Sequence, residues 1–345
     1  MIDRNLTVQI VGAITAVSVV SAPALVAGQD RAGAPRAAAK TSAIPRTADG
    51  KPDLHGIWDF RTITPMERPK DLADKPTLTE AEAAEWERKN QRNQDNREAT
   101  PGNLVNGQRS NADVERAYND FWWDFGKKAV STRRTSLIID PSDGRIPALT
   151  PEGQKRAAAR REARERPAVG PEDRGVGERC ILGFNAGPPM LPSAYNNNVQ
   201  LIQTPNHVVI FNEMVHNARV VPVTSRAHGS VQQWNGDSRG RWEGDTFVVE
   251  STRFLSETSF PNSGDSFQLT ERFTLANADT LVYEFTVNDP KVWTKPWTVQ
   301  VPMARSDELM YEYACHEANY GMENLLKGAR YLEKEGAAET KTSSR

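Results

Sequence analysis

NVQLIQTPNHVVIFNEMVHNARVVPV, residues 198–223, holds three strand-length apolar runs separated by one Thr-Pro-Asn turn and one polar break. Strand alternation puts Val208, Ile210, Asn212, Met214 and His216 on one face of the middle run. Val209, Phe211, Glu213, Val215, Asn217 and Arg219 take the other, provided no bulge intervenes. Both faces are apolar at the ends and polar in the centre. A polar centre within apolar flanks is the pattern of a ligand site facing a barrel lumen. A Glu213–Arg219 ion pair across the turn, with His216 bonded to backbone, is the alternative that needs no ligand.

The same texture continues towards the C-terminus. GRWEG, DTFVVESTRF, FQLTERFTL, TLVYEFTVN, WTVQVPM and ELMYEYACH are further strand-like runs, and EGD, NAD and RSDE are turns between them. Short antiparallel strands in sequence order make an up-and-down barrel or a sandwich. The expected fold is therefore mainly β. It is a lipocalin-like up-and-down antiparallel barrel over residues 176–335, with N-terminal helical additions and a C-terminal helix. That helix, NYGMENLLKGARYLEKE, puts Met322, Leu325, Leu326 and Tyr331 on one side to pack against the barrel, and residues 336–345 are a disordered tail.

Residues 51–175 are expected to form a helical and irregular region packed on the barrel. KPDLHGIWDF (51–60) is a short ordered lead-in with Trp58 to bury. PTLTEAEAAEWERKN (76–90) is a helix with a capping box, Thr79 and Glu82. Residues 90–118 carry no period and form a surface loop. TSLIIDPSDGRIPAL (135–149) predicts a strand, a turn over Asp140–Gly144 and a return strand. Thr150 and Pro151 open a second helix, whose basic run over 155–166 is a solvated face interrupted by Glu162 and Glu165.

Residues 1–28 have the form of a signal peptide: Arg4, the apolar VQIVGAITAVSVV, then SAPALVAG with cleavage after Ala24 or Ala27. Residues 29–50 read as a flexible leader. With no other long apolar run, the mature chain has no membrane span and is periplasmic or secreted. An oxidising compartment favours a disulfide between the two cysteines, Cys180 and Cys315. A free Cys315 beside His316, as a nucleophile pair, is the other reading. The chain has 345 residues, 38% hydrophobic and 26% charged, and a net charge of −2, so composition gives no footprint for nucleic acid.

Chemistry-bearing residues gather in two places. One is the centre of the opening stretch, with Asn212, Glu213, His216 and Arg219. The other is WNGDSRGRWEGDTFVVESTRF (234–254), where EGD beside Trp242 explains a hairpin, but Trp234, Asp237 and Arg239 exceed what a turn needs. There Asp237 and Arg239 orient each other or an imidazole such as His228, or Arg239 grips a carboxylate; a structural Asp–Arg network is the alternative. Trp297, with Trp293, either rims a barrel mouth or caps its core. None of the five histidines has metal-motif spacing, and no cofactor is expected; a divalent metal held by His216, His228 and His316 is the remaining option. Walker and GxGxxG motifs are absent from the sequence, and no nucleophile elbow is expected.

The segments TSLIIDPSDGRIPALTPEG, ERC, NEMVHNARVVPV, WNGDSRGRWEGDT, ERFT, YEFTVNDPKVWTKPWTV and YEYACHEANYGMENLLKGAR together resemble a large group of exported bacterial proteins described only as hypothetical. The resemblance runs from about residue 52 to 333. It implies that Cys180, Glu213, His216, Arg219, Asp237, Arg239, Trp242, Cys315, His316 and Glu317 belong to a shared pattern. His55 stands where the group commonly has serine, which argues against a catalytic His55.

The functional expectation is an exported barrel enzyme acting by acid–base chemistry on a small amphipathic or aromatic molecule, through hydration or elimination, isomerisation, or hydrolysis. His216 is the expected acid or base, and Glu213 or Asp237 its orienting carboxylate. Arg219 and Arg239 anchor an anionic group, with Asn212, His228, Trp234, Trp242, Trp297 and His316 lining the site. The alternative is a non-catalytic carrier holding a hydrophobic ligand in the barrel.

Overall fold

The computed structural model describes residues 43–99, 104–105, 108–109, 124, 126–257, 260, 263–317 and 319–343. Alternation dominates it. In β10 (Gln268–Asn277), Leu269, Glu271, Phe273 and Leu275 are buried and the residues between them face out. β11 (Thr280–Asn288) and β12 (Trp297–Ser306) repeat the pattern with Leu281, Tyr283, Phe285 and Val287, then Trp297, Val299, Val301 and Met303. The remaining strands of the sheet are β1 (Gly56–Asp59), β4 (Ile138–Asp140), β5 (Asn198–Gln203), β6 (His207–Asn212), β7 (Ala218–Pro222), β8 (Asp237–Glu243) and β9 (Thr246–Thr252). Leu104–Val105 and Gln108–Arg109, β2 and β3, form a separate small ladder.

The main sheet has ten strands, all paired antiparallel, in the order β7-β6-β5-β1-β12-β11-β10-β9-β8, with β4 also on β12. Its ladder is open. Among the described residues β7 and β8 are joined through an isolated parallel bridge, Val223 to Gly240, and a hydrogen bond from Thr224 N to Gly240 O (3.0 Å). The sheet nonetheless curls enough for its inner face to enclose one aromatic core, with Trp58, Phe247, Phe254, Phe273, Phe285 and Trp297 all buried.

Among the described residues, three α-helices lie outside the sheet. α1 (Glu80–Ala99) begins with the expected capping box: Thr79 N donates to Glu82 Oε2 (2.9 Å) and Glu82 N donates to Thr79 Oγ1 (3.3 Å). α2 (Pro151–Glu165) is capped by Thr150, whose hydroxyl accepts from Gly153 N (3.0 Å), with Pro151 at the first position. α3 is Gly321–Ser343.

Several elements differ from the sequence reading, each for a physical reason. The run 308–316 forms no strand, because β11 holds one side of β12 and β1 and β4 hold the other. The lead-in instead supplies β1, inserted between β5 and β12, so the strands do not follow one another simply in sequence order. Residues 145–149 do not return as a strand, since Ile146 N donates to Glu67 Oε1 (3.0 Å) and Leu149 bridges Trp293. α1 runs on to Ala99, past the expected start of a loop; the rest of that loop lies largely outside the described residues. α3 continues through most of the expected tail, in a stretch rich in Ala and Glu. Its Arg330 donates to the carbonyls of Ala168 and Val169, and Ala329 is buried, while Tyr331 is exposed. Of the segment read as a leader, Arg46 forms a bidentate pair with Asp245 in the β8–β9 turn (3.0 and 2.7 Å). The signal-peptide residues lie outside the described part.

One ion pair crosses the interior. Arg219 on β7 donates to both oxygens of Glu271 on β10, at 2.7 and 2.8 Å, and the two side chains are 3% and 0% exposed. Tyr283 on β11 donates to Glu271 Oε1 (2.7 Å) and accepts from Met190 N (3.1 Å). Five strands separate β7 from β10 along the ladder, so this contact is made across the curled face. Burial, and after it the Glu271 carboxylate, raise the Tyr283 phenol well above its ordinary range. Burial opposes the Arg219 charge, but Glu271 outweighs it and raises the guanidinium further.

Breaking a buried pair strands the remaining charge, which costs about 3–5 kcal/mol, whereas replacing both members by apolar groups costs much less. In equilibrium urea unfolding, Glu271→Leu alone is therefore expected to lose about 3–5 kcal/mol. Adding Arg219→Met should recover part of that loss; a double variant as unstable as the sum of its singles would contradict the interior pair.

Candidate functional site

The opening stretch breaks where its polar residues begin. β6 ends at Asn212 and Met214–His216 form a tight 3-10 turn, with Val215 and His216 in the left-handed region (φ 48° and 42°). Asn212 N donates to Asn217 O (2.9 Å), which closes the turn into β7. The turn changes the expected side-chain parity. Arg219 pairs across from Ile210 and shares the buried face with Val208, Ile210 and Asn212, instead of joining Val209 and Phe211. The alternative Glu213–Arg219 pair does not form, because Arg219 turns inward to Glu271.

Glu213 is buried and holds the turn to its surroundings. Its Oε2 accepts from Asn198 Nδ2 (2.9 Å) and its Oε1 from Tyr311 N (3.3 Å). His216 is exposed and, among the described residues, its side chain has no hydrogen-bond partner. The neighbouring Asn217 forms a reciprocal carboxamide pair with Asn235: Asn235 Nδ2 donates to Asn217 Oδ1 (2.9 Å), and Asn217 Nδ2 to Asn235 Oδ1 (3.4 Å). This pair joins the turn before β7 to the loop before β8, the strands at the two edges of the ladder.

Just beyond Asn235, the Asp237 carboxylate gathers three groups. Its Oδ2 accepts from Gly229 N (2.7 Å) and lies 3.5 Å from His228 Nδ1; its Oδ1 accepts from Arg239 Nη1. Arg239 Nη1 also donates to Ser238 O (2.8 Å). The cluster is part-buried, with His228 24% and Asp237 11% exposed at the side chain. A carboxylate facing Nδ1 selects the imidazole tautomer protonated there and leaves Nε2 to exchange a proton. At 3.5 Å the pair is within ion-pair reach and longer than a hydrogen bond; such contacts often tighten only when a substrate is bound. Trp234 precedes the cluster, and the Arg179 guanidinium lies over its ring at 5.7 Å.

Arg179 leads into the Cys180–Cys315 disulfide, which joins Cα atoms 5.8 Å apart across a sequence separation of 135. The bridge, with the Glu213–Tyr311 contact, fixes the irregular segment 307–317 beside the turn. Tyr313 stacks on Tyr195 (6.1 Å between centroids), and Tyr195 meets the half-exposed Phe184 edge-on (5.4 Å). Burial and a hydrogen bond with Tyr313 push the Tyr195 hydroxyl up to about 12. Gly183, next to Phe184, packs so tightly on the turn that a Cβ there would lie 2.1 Å from Met214 Cγ. His316 is exposed next to the bridge.

The remaining expected site residues are elsewhere. Trp242 sits at the far end of β8 from Asp237, against Phe247 (5.2 Å) and beneath Lys51 (5.7 Å). Trp297 is a core residue packed on Phe260, Trp293 and Phe285. Asn212 is buried, and both polar atoms of its carboxamide lack a protein partner among the described residues. His216, His228 and His316 lie on three separate segments, and among the described residues no three His, Cys, Asp or Glu side chains are grouped to hold a metal. Glu271 and Tyr283 were overlooked by the sequence reading. The signal was there: Glu271 falls between Leu269 and Phe273 at an inward position of FQLTERFTL. The chain matches no protein-family model and no curated protein.

A cross-link across a loop of this length contributes about 4–5 kcal/mol by restricting the unfolded chain. The double variant Cys180→Ser with Cys315→Ser is expected to lose about that much in denaturant unfolding. An unchanged midpoint would show that the segment 307–317 is held without the bridge.

Proposed function

We propose that this chain is an exported acid–base enzyme acting on a small amphipathic or aromatic molecule, by hydration or elimination, isomerisation, or hydrolysis. The observation that carries the reading is the Asp237 carboxylate, holding His228, Gly229 N and Arg239 at a part-exposed edge of the sheet. His228 is the acid or base, Asp237 its orienting partner, and Arg239 the cation that meets an anionic group or a developing oxyanion. This moves the proton-transfer role from His216 to His228. His228 has a carboxylate beside it, whereas the carboxylate nearest His216 in sequence, Glu213, is engaged by Asn198 and Tyr311.

The aromatic filling of the sheet's inner face favours a ligand held at the rim over the lumenal ligand that a carrier requires. The rings of Trp234, Phe184 and Tyr313 supply apolar contact area on the segments bordering the turn. The sheet itself we take as a lipocalin-like barrel, a reading supported by the Val223–Gly240 bridge and by the Arg219–Glu271 contact across the interior. Export is supported by the disulfide and by the signal-peptide pattern of residues 1–28. The motif resemblance supports, on the same reading, grouping the chain with exported bacterial proteins.

Hydrolysis of p-nitrophenyl acetate, an activated aryl ester, provides the test. Protein-catalysed turnover is expected to fall by at least about tenfold in His228→Gln and in Asp237→Asn, the typical scale of a lost acid–base group being larger still. His216→Gln should leave it within about twofold. Equal rates in wild type and His228→Gln would overturn the assignment, as would a rate no greater than that of free imidazole.

A further inference from the structure

A second concave site lies away from this rim, between the 3-10 turn Lys70–Leu72 and one face of α1. The groove has a volume of about 360 Å³, the lower part of the range that holds small-molecule ligands. Its apolar surface comes from Leu72, the buried Leu78 and the indole of Trp86. On α1 the stripe Glu82, Glu85/Trp86 and Lys89/Asn90 follows helical spacing, so these residues line one side over successive turns.

The charges around this surface do not cancel at random. Lys75 pairs with Glu82, which the α1 capping box also holds, and Glu85 pairs with Arg88 (2.6 Å). Two lining charges remain without an ion-pair partner among the described residues: the Asp71 carboxylate on the 3-10 turn and the Lys89 ammonium on α1. They stand on the two elements that face each other across the groove. An apolar floor with an indole wall, flanked by one free anion and one free cation, complements a ligand with a compact apolar body and a zwitterionic head. We infer that this groove binds a free amino acid with an aromatic or large aliphatic side chain. The ring or branched chain lies against Trp86 and Leu78; the ammonium faces Asp71 and the carboxylate faces Lys89. Neither singly charged analogue satisfies both ends, and each leaves one charge of the groove unmatched.

The inference does not depend on the chemistry at Asp237 and is read by binding alone. L-Phenylalanine, phenethylamine and 3-phenylpropionate are titrated into the mature chain by calorimetry. L-Phenylalanine should bind at one site per chain, at least about fivefold more tightly than either analogue, and Trp86→Ala should weaken it at least about tenfold, within the range of one well-packed aromatic contact. The exposed substitutions Asp71→Asn and Lys89→Gln guard against a folding defect in the tryptophan variant. Asp71→Asn should weaken L-phenylalanine and leave 3-phenylpropionate unchanged; Lys89→Gln should weaken L-phenylalanine and leave phenethylamine unchanged. Absence of saturable L-phenylalanine binding into the millimolar range would overturn the inference. So would binding indifferent to both charge substitutions, or an analogue that binds as tightly as the zwitterion.

Discussion

An ion pair buried on both sides is the constraint on which this fold depends. A guanidinium and a carboxylate removed from water lose solvation worth several kcal/mol each, and only close, multiply bonded geometry offsets that loss. Arg219 and Glu271 have that geometry, and Tyr283 adds a further hydrogen bond to the carboxylate. Because β7 and β10 are far apart along the ladder, the pair is satisfied only when the sheet curls. A flat sheet with the same strand register leaves both charges unpaired. The apolar face supplies most of the favourable free energy of burial, and the ion pair selects the curvature at which that face closes.

The curvature then decides what the rim can do. With the inner face turned on itself, the turn after β6 meets the loop before β8, and Asn217 and Asn235 bond to each other. The same rim receives the segment 182–191, whose Met190 N reaches Tyr283, and the segment 307–317, tied down by the disulfide and by Glu213. His228, Asp237 and Arg239 sit beside that junction as a part-buried polar cluster, with Asp237 and Arg239 on a strand whose opposite end carries Trp242. The interior network and the exposed chemistry are thus connected through Arg219: the strand that buries it begins at the turn bearing His216 and Asn217.

Much of this was legible in the sequence wherever local physics decides. The capping box at Thr79 and Glu82, the Thr150–Pro151 helix start, the Glu243–Thr246 hairpin and eight of the strand-like runs follow from spacing and turn chemistry alone. The expected strand at 308–316 does not form because both sides of β12, the strand it follows, are taken by β11, β1 and β4, and strand order is a property of the whole sheet. The parity error at Arg219 arose from two left-handed residues, Val215 and His216, neither of them glycine; residues of this type rarely adopt that conformation, so the sequence did not mark the turn. The Asp237–Arg239 relation and its reach to His228 were legible because the first two lie two residues apart on one strand. Glu271 and Tyr283 were not identified, although they alternate in register with Leu269, Phe273, Leu281 and Phe285, because their partner Arg219 is distant in sequence.

The most direct test of this account is whether the two ladder edges meet in solution. In a protein labelled with 15N only at asparagine, in a deuterated background, the Asn217 and Asn235 side-chain amides lie close enough for a nuclear Overhauser effect. A cross-peak between these two carboxamides, lost in Asn235→Ala, is the result expected if the buried Arg219–Glu271 pair curls the sheet. Assigned side-chain resonances for both residues with no cross-peak between them would place β7 and β8 apart and contradict the account.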